Sequence, residues 1–219
     1  MALVHLTRGL AVAALTTTSF ASRPSEAADR PRDAFSFDGA VGFGWTAGSY
    51  EFEHESAPFD GTPAQRLRFE AGLEGPVLAL TAMPAYAIGA GLSLGVVVDA
   101  MMFPALEQQG QIGESNIGGA LLLGGAAALV IRPARVGFEG ALSLGLQRAT
   151  LYGSTHDIAS AENVYEHEPA LGPRTALRCG YVFESGFGVA TTASLAWLGG
   201  EHSSYRPLVV VFQAALSRW

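Results

Sequence analysis

Large apolar residues alternate with small or polar residues along most of this chain. In the segment 135–147, RVGFEGALSLGLQ, the large apolar residues all have even numbers: Val136, Phe138, Leu142, Leu144 and Leu146. Because side chains of a β-strand point alternately to its two faces, this period of two predicts a strand with one oily face. The opposite face carries mostly Gly, Ala and Ser, with Glu139 as its acid. This division is typical of a strand with lipid outside and a narrow barrel interior inside.

The same period of two predicts eight strands. Their expected bounds are 35–49, 65–83, 90–103, 117–131, 135–147, 172–183, 187–198 and 207–219. Long polar loops are expected at 50–62, 104–116, 151–171 and 199–206, and short turns at 84–89, 132–134 and 184–186. Because long and short connections alternate, we predict an all-β, eight-stranded antiparallel up-and-down transmembrane barrel with both termini at the short-turn end.

Two of the predicted strands have an irregular pattern. In 65–83, the large apolar residues have odd numbers before Glu74-Gly75-Pro76 and even numbers after it. A shift of one residue requires a bulge, and Gly and Pro are tolerated at bulges, so we place one there. In 117–131, the pattern leaves open whether Leu122 or its two neighbours face outward.

Aromatic residues gather at the two ends of the predicted strands. The group near the short turns is Phe35, Phe37, Tyr86, Phe138, Phe183 and Phe187. The group near the long loops is Trp45, Tyr50, Phe69, Phe103, Tyr152, Trp197 and Tyr205. Two aromatic belts at opposite rims are typical of a membrane barrel.

The N-terminus has the features of an export signal. Arg8 precedes a short apolar stretch and then small residues, which predicts a signal peptide over 1–27 with cleavage after Ala21 or Ala27. Residues 28–34 then form a short tail, and the barrel covers 35–219. The alternative is a soluble N-terminal helix, but no amphipathic segment follows for it to pack on.

Composition supports a mainly β chain and excludes some partners. The 219 residues include 27 Gly and 11 Pro, and only 15% are charged, against about 25% in soluble domains. A net charge of −7 without any lysine argues against nucleic-acid binding, which depends on clustered basic residues. The single cysteine, Cys179, excludes an internal disulfide and falls on an oily strand face, where it is expected to be an apolar filler.

The export signal, the eight alternating strands, the three short turns and the terminal Trp219 together resemble the small eight-stranded outer-membrane β-barrels of Gram-negative bacteria, the OmpA/OmpX-like class. The resemblance covers residues 35–219 and implies short periplasmic turns, longer extracellular loops, contact with outer-membrane lipids and insertion by the barrel-assembly machinery. The last strand departs from this class, because Gln213, Ala215 and Ser217 share the face of Trp219 where oily residues usually stand.

Charged residues on the inward faces predict a structural ion network inside the barrel. Its members are Asp38, Arg68, Glu70, Asp99, Glu139, Arg174 and Arg178, with Arg66 and Glu184 also facing inward. A charge in such an interior needs a partner, because unpaired burial is costly. We expect Asp99 to meet Arg68 or its neighbours on the adjacent strand. Because eight strands leave an interior just filled by side chains, a plug is favoured over a conduit.

Catalytic chemistry has one weak candidate. Ser154, His156 and Asp157 in the predicted loop 151–171 could act as nucleophile, base and orienting acid. Such triplets also arise by chance in polar loops. The other histidines of the barrel, His54, His167 and His202, also fall in predicted loops without a fixed ligand geometry, so we expect no metal site and no cofactor.

The sequence therefore predicts a monomeric integral outer-membrane barrel that is structural or presents surface loops, and is not an enzyme. One alternative is an outer-membrane lipid-modifying enzyme or a narrow small-ligand channel. Another is a secreted soluble ligand-binding barrel, as in lipocalins, which requires the oily faces to point inward and Asp38, Glu139 and Arg178 to lie outside.

Overall fold

A computed structural model describes residues 35–56, 65–109, 114–132, 136–157, 162–166, 169–201 and 203–218. The predicted signal peptide 1–27, the tail 28–34 and Trp219 lie outside the described residues. The strands are β1 (Phe35–Ser56), β2 (Gln65–Gly89), β3 (Leu92–Phe103), β4 (Glu107–Gln109), β5 (Glu114–Ile131), β6 (Gly137–Asp157), β7 (Glu162–Glu166), β8 (Pro169–Val182), β9 (Phe187–Ala196), β10 (Leu198–Gly199) and β11 (Ser203–Arg218). Within these ranges, no helix is long and apolar enough to cross a bilayer.

Eight of these strands form a closed antiparallel ring. Its order is β1-β2-β3-β5-β6-β8-β9-β11, and β11 pairs back to β1 from Phe37 opposite Arg218 to Phe52 opposite Ser203. Each strand of the ring is hydrogen-bonded to its neighbours in sequence, so the chain runs up and down around the barrel. The predicted all-β, eight-stranded antiparallel barrel is confirmed.

All four predicted long loops are partly strands, since β4 and the start of β5 fall in 104–116, and β11 begins at Ser203 within 199–206. β1 and β2 stay paired as far as Ser56 opposite Gln65, and β6 continues to Asp157 between β5 and β7. The loop predictions 50–62, 104–116, 151–171 and 199–206 are therefore wrong over these parts. The physical reason is that a polar sequence excludes lipid contact, whereas backbone pairing in a hairpin requires only a free N–H and C=O.

The bulge predicted in β2 is absent from the described pairing with β1. The register runs without a shift from Phe35 opposite Tyr86 to Ser56 opposite Gln65. Pro76 instead lies where β2 changes partner, between Glu74 opposite Glu107 of β4 and Leu78 opposite Met102 of β3. A proline is tolerated there because neither ladder uses its missing N–H. Ala71 and Leu73, predicted to face outward, are therefore buried inside.

The first short turn lies later than predicted. β2 continues through the expected turn 84–89, and the chain reverses at Ala90 and Gly91, which have φ of 51° and 77°. Two residues of positive φ in a row fit a two-residue hairpin, whose twist matches that of its strands. Pro84, which lies in the expected turn 84–89, is instead paired in register opposite Phe37.

The outward faces carry large apolar side chains around the ring. All five apolar residues of 135–147 are exposed, from 38% at Val136 to 62% at Leu144, which confirms their predicted outward facing. Cys179 is also exposed on its outward face. On β5, Leu122 is fully buried and Leu123 is 51% exposed, which resolves the ambiguity of that strand.

The aromatic belts are confirmed at one end only. All six residues assigned to the short-turn belt are exposed. Of the long-loop belt, Trp45, Tyr152 and Trp197 are exposed, Phe69 has a side chain outside the described residues, and Tyr50, Phe103 and Tyr205 are buried. The belt prediction is wrong for these last three, because their positions in the strand alternation point inward.

The interior contains two apolar clusters. The larger, here called the loop-end cluster, lies toward the ends of the strands that carry the long connections and includes Leu73, Phe103, Leu122, Leu198 and Tyr205. The smaller, the short-turn cluster, lies at the other end and consists of Met83, Ala85, Val97, Ala126, Ala128, Val130 and Ala141. Buried polar and charged side chains occupy the remaining interior.

Candidate functional site

Six charged side chains are buried in the part of the barrel that the structure describes. They are Asp38, Asp99, Arg132, Glu139, Arg174 and Arg178. The strand alternation that sends their apolar neighbours outward sends these side chains inward. Three carboxylates face three guanidinium groups, so the described interior has no net charge.

Four of these residues form a connected group, here called the charged quartet. Arg132 Nη2 donates to Asp38 Oδ2 at 2.6 Å and also to Glu139 Oε2, while Arg132 Nε donates to Glu139 Oε2 at 2.9 Å. Arg178 Nη2 lies 3.1 Å from Glu139 Oε1. Glu139 therefore lies between two guanidinium groups, and the quartet is neutral by itself.

The backbone fixes Arg132 at the short-turn end. Arg132 follows β5 directly, and its N–H donates to the Gly91 carbonyl at 2.7 Å. Its side chain then reaches across to Asp38 on β1 and to Glu139 at the start of β6. One arginine thus connects three parts of the ring at the end where the turns are short.

A second neutral group is the ion pair between Asp99 and Arg174. Asp99 stands on β3 directly opposite Gly124 of β5, while Arg174 reaches the pair from β8. A Cβ on Gly124 would overlap both the Asp99 carboxylate and the Arg174 guanidinium. The adjacent Gly125 is exposed, and a Cβ there would meet nothing within 4 Å. Gly124 therefore provides the space in which this ion pair fits.

Uncharged polar side chains connect the opposite wall. Thr192 Oγ1 donates to Gln213 Oε1 at 2.8 Å, and Gln213 Nε2 donates to Thr81 Oγ1 at 2.9 Å. This chain joins β9, β11 and β2. Between it and the charged residues lies a cavity of about 20 Å³, lined by Asp99, Ser143, Arg174, Arg178, Thr192 and Gln213 among others.

The structure places most of the predicted network residues inside the barrel. Asp38, Asp99, Glu139, Arg174 and Arg178 are all buried. The described partner of Asp99 is Arg174, whereas the side chains of the expected partner Arg68 and of Arg66 lie outside the described residues.

Two of the predicted inward charges face outward. Glu70 is exposed, because β2 has no bulge in its pairing with β1. The even-numbered residues of β2 whose burial is described are all exposed or half-buried. Glu184 is exposed in the turn 184–186. The prediction for Glu70 is wrong because the apolar residues beside it, such as Leu73, face the interior and not the outside, whereas Glu184 lies in a turn where strand alternation no longer applies.

Sequence reasoning missed Arg132, which was taken as a turn residue. The buried residues of β5 have even numbers, namely Ala120, Leu122, Ala126, Ala128 and Val130. Arg132 continues that series. If the facing of β5 had been resolved from the sequence, the same alternation would have placed Arg132 inside.

The candidate catalytic triplet lies on a strand and not in a loop. The backbone of Ser154, His156 and Asp157 belongs to β6, where His156 is opposite Glu114 of β5. Their side chains lie outside the described residues, as do those of His54, His167 and His202. Where side chains are described, no group of three or more His, Cys, Asp or Glu residues is placed to hold a metal ion.

Comparison with known proteins finds similarity in solved structures alone: no protein-family model and no curated protein matches the chain. Ail, the attachment invasion locus protein of Yersinia pestis, is 12% identical, covers 82% of this chain and 98% of its own, and has a TM-score of 0.41. The outer membrane protein OprG from Pseudomonas aeruginosa is 11% identical, with 83% and 95% covered and a TM-score of 0.46. The outer membrane protease OmpT from Escherichia coli is 9% identical, with 83% and 96% covered and a TM-score of 0.44. Similarity at this level assigns neither an activity nor a ligand to this chain.

Proposed function

We propose that the protein is an integral outer-membrane β-barrel with a structural or surface-loop presentation role, and that it is not an enzyme. The observation that carries this proposal is the facing of the barrel wall. Val41 and Leu80 are each 59% exposed, and Phe212 is 66% exposed. The six buried charged side chains point into the barrel instead. Exposed apolar area costs about 25 cal/mol per Å² in water, so a wall of this kind favours lipid as its solvent.

The soluble ligand-binding barrel is contradicted by the same facing. It requires the oily faces to point inward and the charges to lie outside. In the structure Asp38 is 1% exposed, Glu139 is 3% exposed and Arg178 is 6% exposed. The described cavity of about 20 Å³ is also far smaller than the several hundred Å³ of a ligand pocket.

The interior supports a structural role over conduction. The loop-end cluster fills one half of the barrel with apolar side chains, and the other half contains the apolar short-turn cluster and the neutral charged quartet. An ion entering this interior would have to displace packed apolar groups and break buried ion pairs, each of which costs several kcal/mol.

The loop end supports a presentation role through its acidic outer surface. Glu53 lies beyond the last β1–β11 pair, Glu70 lies opposite Glu51 near that end of the barrel, and both are exposed. Glu107 of β4 is also exposed. On this proposal the barrel anchors an acidic surface outside the cell, contacts outer-membrane lipids, is inserted by the barrel-assembly machinery after signal cleavage, and works as a monomer.

Cell fractionation tests the location. The barrel should be recovered with outer membranes, be released only by detergent, and migrate differently in electrophoresis before and after boiling, because a folded barrel resists unfolding by detergent at room temperature. Recovery of the native protein from the aqueous fraction would contradict the proposal.

Two assays test the absence of activity. Outer-membrane lipids should have the same composition in cells that express the wild type, His156→Ala or no protein, and a change that His156→Ala abolishes would establish the enzyme alternative. Purified barrel in planar bilayers should show no stepwise conductance. Regular conductance steps would establish the channel alternative.

A further inference from the structure

The interior cavity is lined by both hydrogen-bond donors and hydrogen-bond acceptors. Arg178 is 6% exposed, and its Nε, Nη1 and Nη2 make no hydrogen bond among the residues that the structure describes. Its Nη2 forms an ion pair with Glu139 Oε1 at 3.1 Å, without hydrogen-bond geometry. Asp99 Oδ1 likewise accepts none there. Both residues line the cavity. Leaving such buried groups without a hydrogen-bond partner is unfavourable, and more so for charged groups.

We propose that this cavity is a binding site for one, at most two, water molecules. A bound water would accept a hydrogen bond from the Arg178 guanidinium and donate one to the Asp99 carboxylate. A buried water needs about 10–15 Å³ and two to four polar partners. The volume of about 20 Å³ and the polar lining of Ser143, Thr192 and Gln213 meet both requirements.

Charge balance selects water over an ion. The described interior already holds three carboxylates and three guanidinium groups. A chloride ion would be satisfied by the arginines but would add an uncompensated buried charge beside Asp99, and a cation would face Arg174 and Arg178. Water is neutral and both donates and accepts, so it matches a lining that presents donors and an acceptor together.

The bound water joins the two neutral groups of the interior. Asp99 belongs to the pair with Arg174, and Arg178 belongs to the charged quartet through Glu139. A water between them makes one network of ion pairs and hydrogen bonds from Asp38 at the short-turn end to Asp99. Because packed apolar residues cover one side and ion pairs the other, the water should exchange slowly.

The test is NMR of the full barrel in detergent micelles with ¹⁵N-labelled arginine. The Nε–H signal of Arg178, assigned by its loss in Arg178→Gln, should show NOE and ROE cross-peaks to water of opposite sign, which indicates a bound water that stays for longer than about a nanosecond. The signal should not move between chloride-free buffer and chloride buffer. Absence of the cross-peaks would overturn the proposal, and a chloride-dependent shift with saturation would replace water by an anion.

A cavity-filling variant sharpens this test. Ala141 lines the cavity, so Ala141→Val should fill it and remove the water cross-peaks while the wild-type strand signals remain. The matched control is Ala127→Val, which adds the same two methyl groups on the outward face of β5 and should retain the cross-peaks. Retention of the cross-peaks in folded Ala141→Val would contradict the assignment to this cavity. If Ala141→Val does not fold, the wild-type cross-peaks and their response to chloride still decide whether the cavity binds water.

Discussion

The two halves of the barrel interior are filled by different physical means. In the loop-end cluster, Leu73 and Phe103 are each 1% exposed, and Leu122, Leu198 and Tyr205 are fully buried. The short-turn half contains the apolar short-turn cluster together with an ion network in which Arg132 joins Asp38 and Glu139, and Glu139 also meets Arg178. Both halves are surrounded by the same kind of apolar outer wall. On the proposal that this wall contacts lipid, the outer face must be apolar along the whole strand, whereas the inner face needs only to be filled and neutral.

The two fillings should respond differently to mutation. Apolar packing is non-directional, so a truncated side chain leaves a cavity whose cost depends on how far its neighbours relax. A buried ion network depends on complementary partners, so removing one member leaves the others charged and unpaired. The following changes compare these costs, beginning with the largest.

Glu139→Ala should have the largest effect, because Glu139 lies between Arg132 and Arg178. Loss of this carboxylate leaves the interior with a net positive charge, which we expect to lower the free energy of unfolding by about 3–5 kcal/mol. Equilibrium urea unfolding in micelles measures this. The control Glu184→Ala removes an exposed carboxylate in a turn and should change little.

A double variant separates charge from packing at the same place. Glu139→Leu combined with Arg178→Met removes one charge of each sign, so it should be more stable than Glu139→Ala alone. If the double variant loses as much free energy of unfolding as Glu139→Ala alone, the quartet contributes through specific contacts more than through neutrality.

Leu73→Ala tests the other half. It truncates a residue of the loop-end cluster that is 1% exposed, and we expect a loss of about 2–5 kcal/mol. Leu80→Ala on the outer face of the same strand, where Leu80 is 59% exposed, is the matched control. It should cost less, because lipid chains can fill the space and only the transfer free energy is lost. Equal losses would show that the two faces are in similar surroundings.

Gly124→Ala tests the space for the Asp99–Arg174 pair. The added Cβ overlaps both charged groups, and we expect a loss of about 1–3 kcal/mol from overpacking. Gly125→Ala, one residue along, has nothing within 4 Å of its Cβ and should leave the free energy of unfolding almost unchanged. A similar loss in both variants would point to the strand backbone and not to the ion pair.

Arg206→Ala should have the smallest effect. Arg206 Cζ lies 4.3 Å from the centroid of the Trp197 ring on the outside of the loop end. Such a contact contributes about 0.5–1 kcal/mol at an exposed site, so the unfolding midpoint in urea should shift only slightly. If Arg206→Ala lowered the free energy of unfolding as much as Glu139→Ala, the outer rim would contribute as much to stability as the interior ion network.

The difference between the two halves also explains what the sequence could predict. In β6, outward Leu142 and Leu144 alternate with small inward residues, so strand and facing are both readable. In β2, Leu73 is apolar and inward while Leu80 is apolar and outward, so alternation of hydrophobicity disappears where the interior is itself apolar. The same ambiguity hid the inward facing of Tyr50, Phe103 and Tyr205.

The pairing of charges was less predictable than their burial. Alternation identifies Asp99 as an inward residue, but its partner Arg174 comes from β8, which is not adjacent to β3 in the ring. Pairing across a barrel depends on strand tilt and side-chain length, and neither follows from a single sequence. Arg132 was missed because it lies next to a proline in the predicted turn 132–134. Its even number nevertheless continues the series of inward residues of β5.

Spin labelling of β6 in lipid bilayers tests most directly whether the apolar wall faces lipid and the polar groups face inward. Nitroxides placed one at a time at Leu142, Leu144 and Leu146, in a Cys179→Ser background, should collide more often with dissolved oxygen than with a water-soluble nickel chelate. The ratio of collisions with oxygen to collisions with the nickel chelate should be higher for the label at Leu144 than for a label at the exposed turn residue Ser185. A higher ratio indicates a greater depth in the bilayer. Greater access to the nickel chelate at Leu144 would contradict this account.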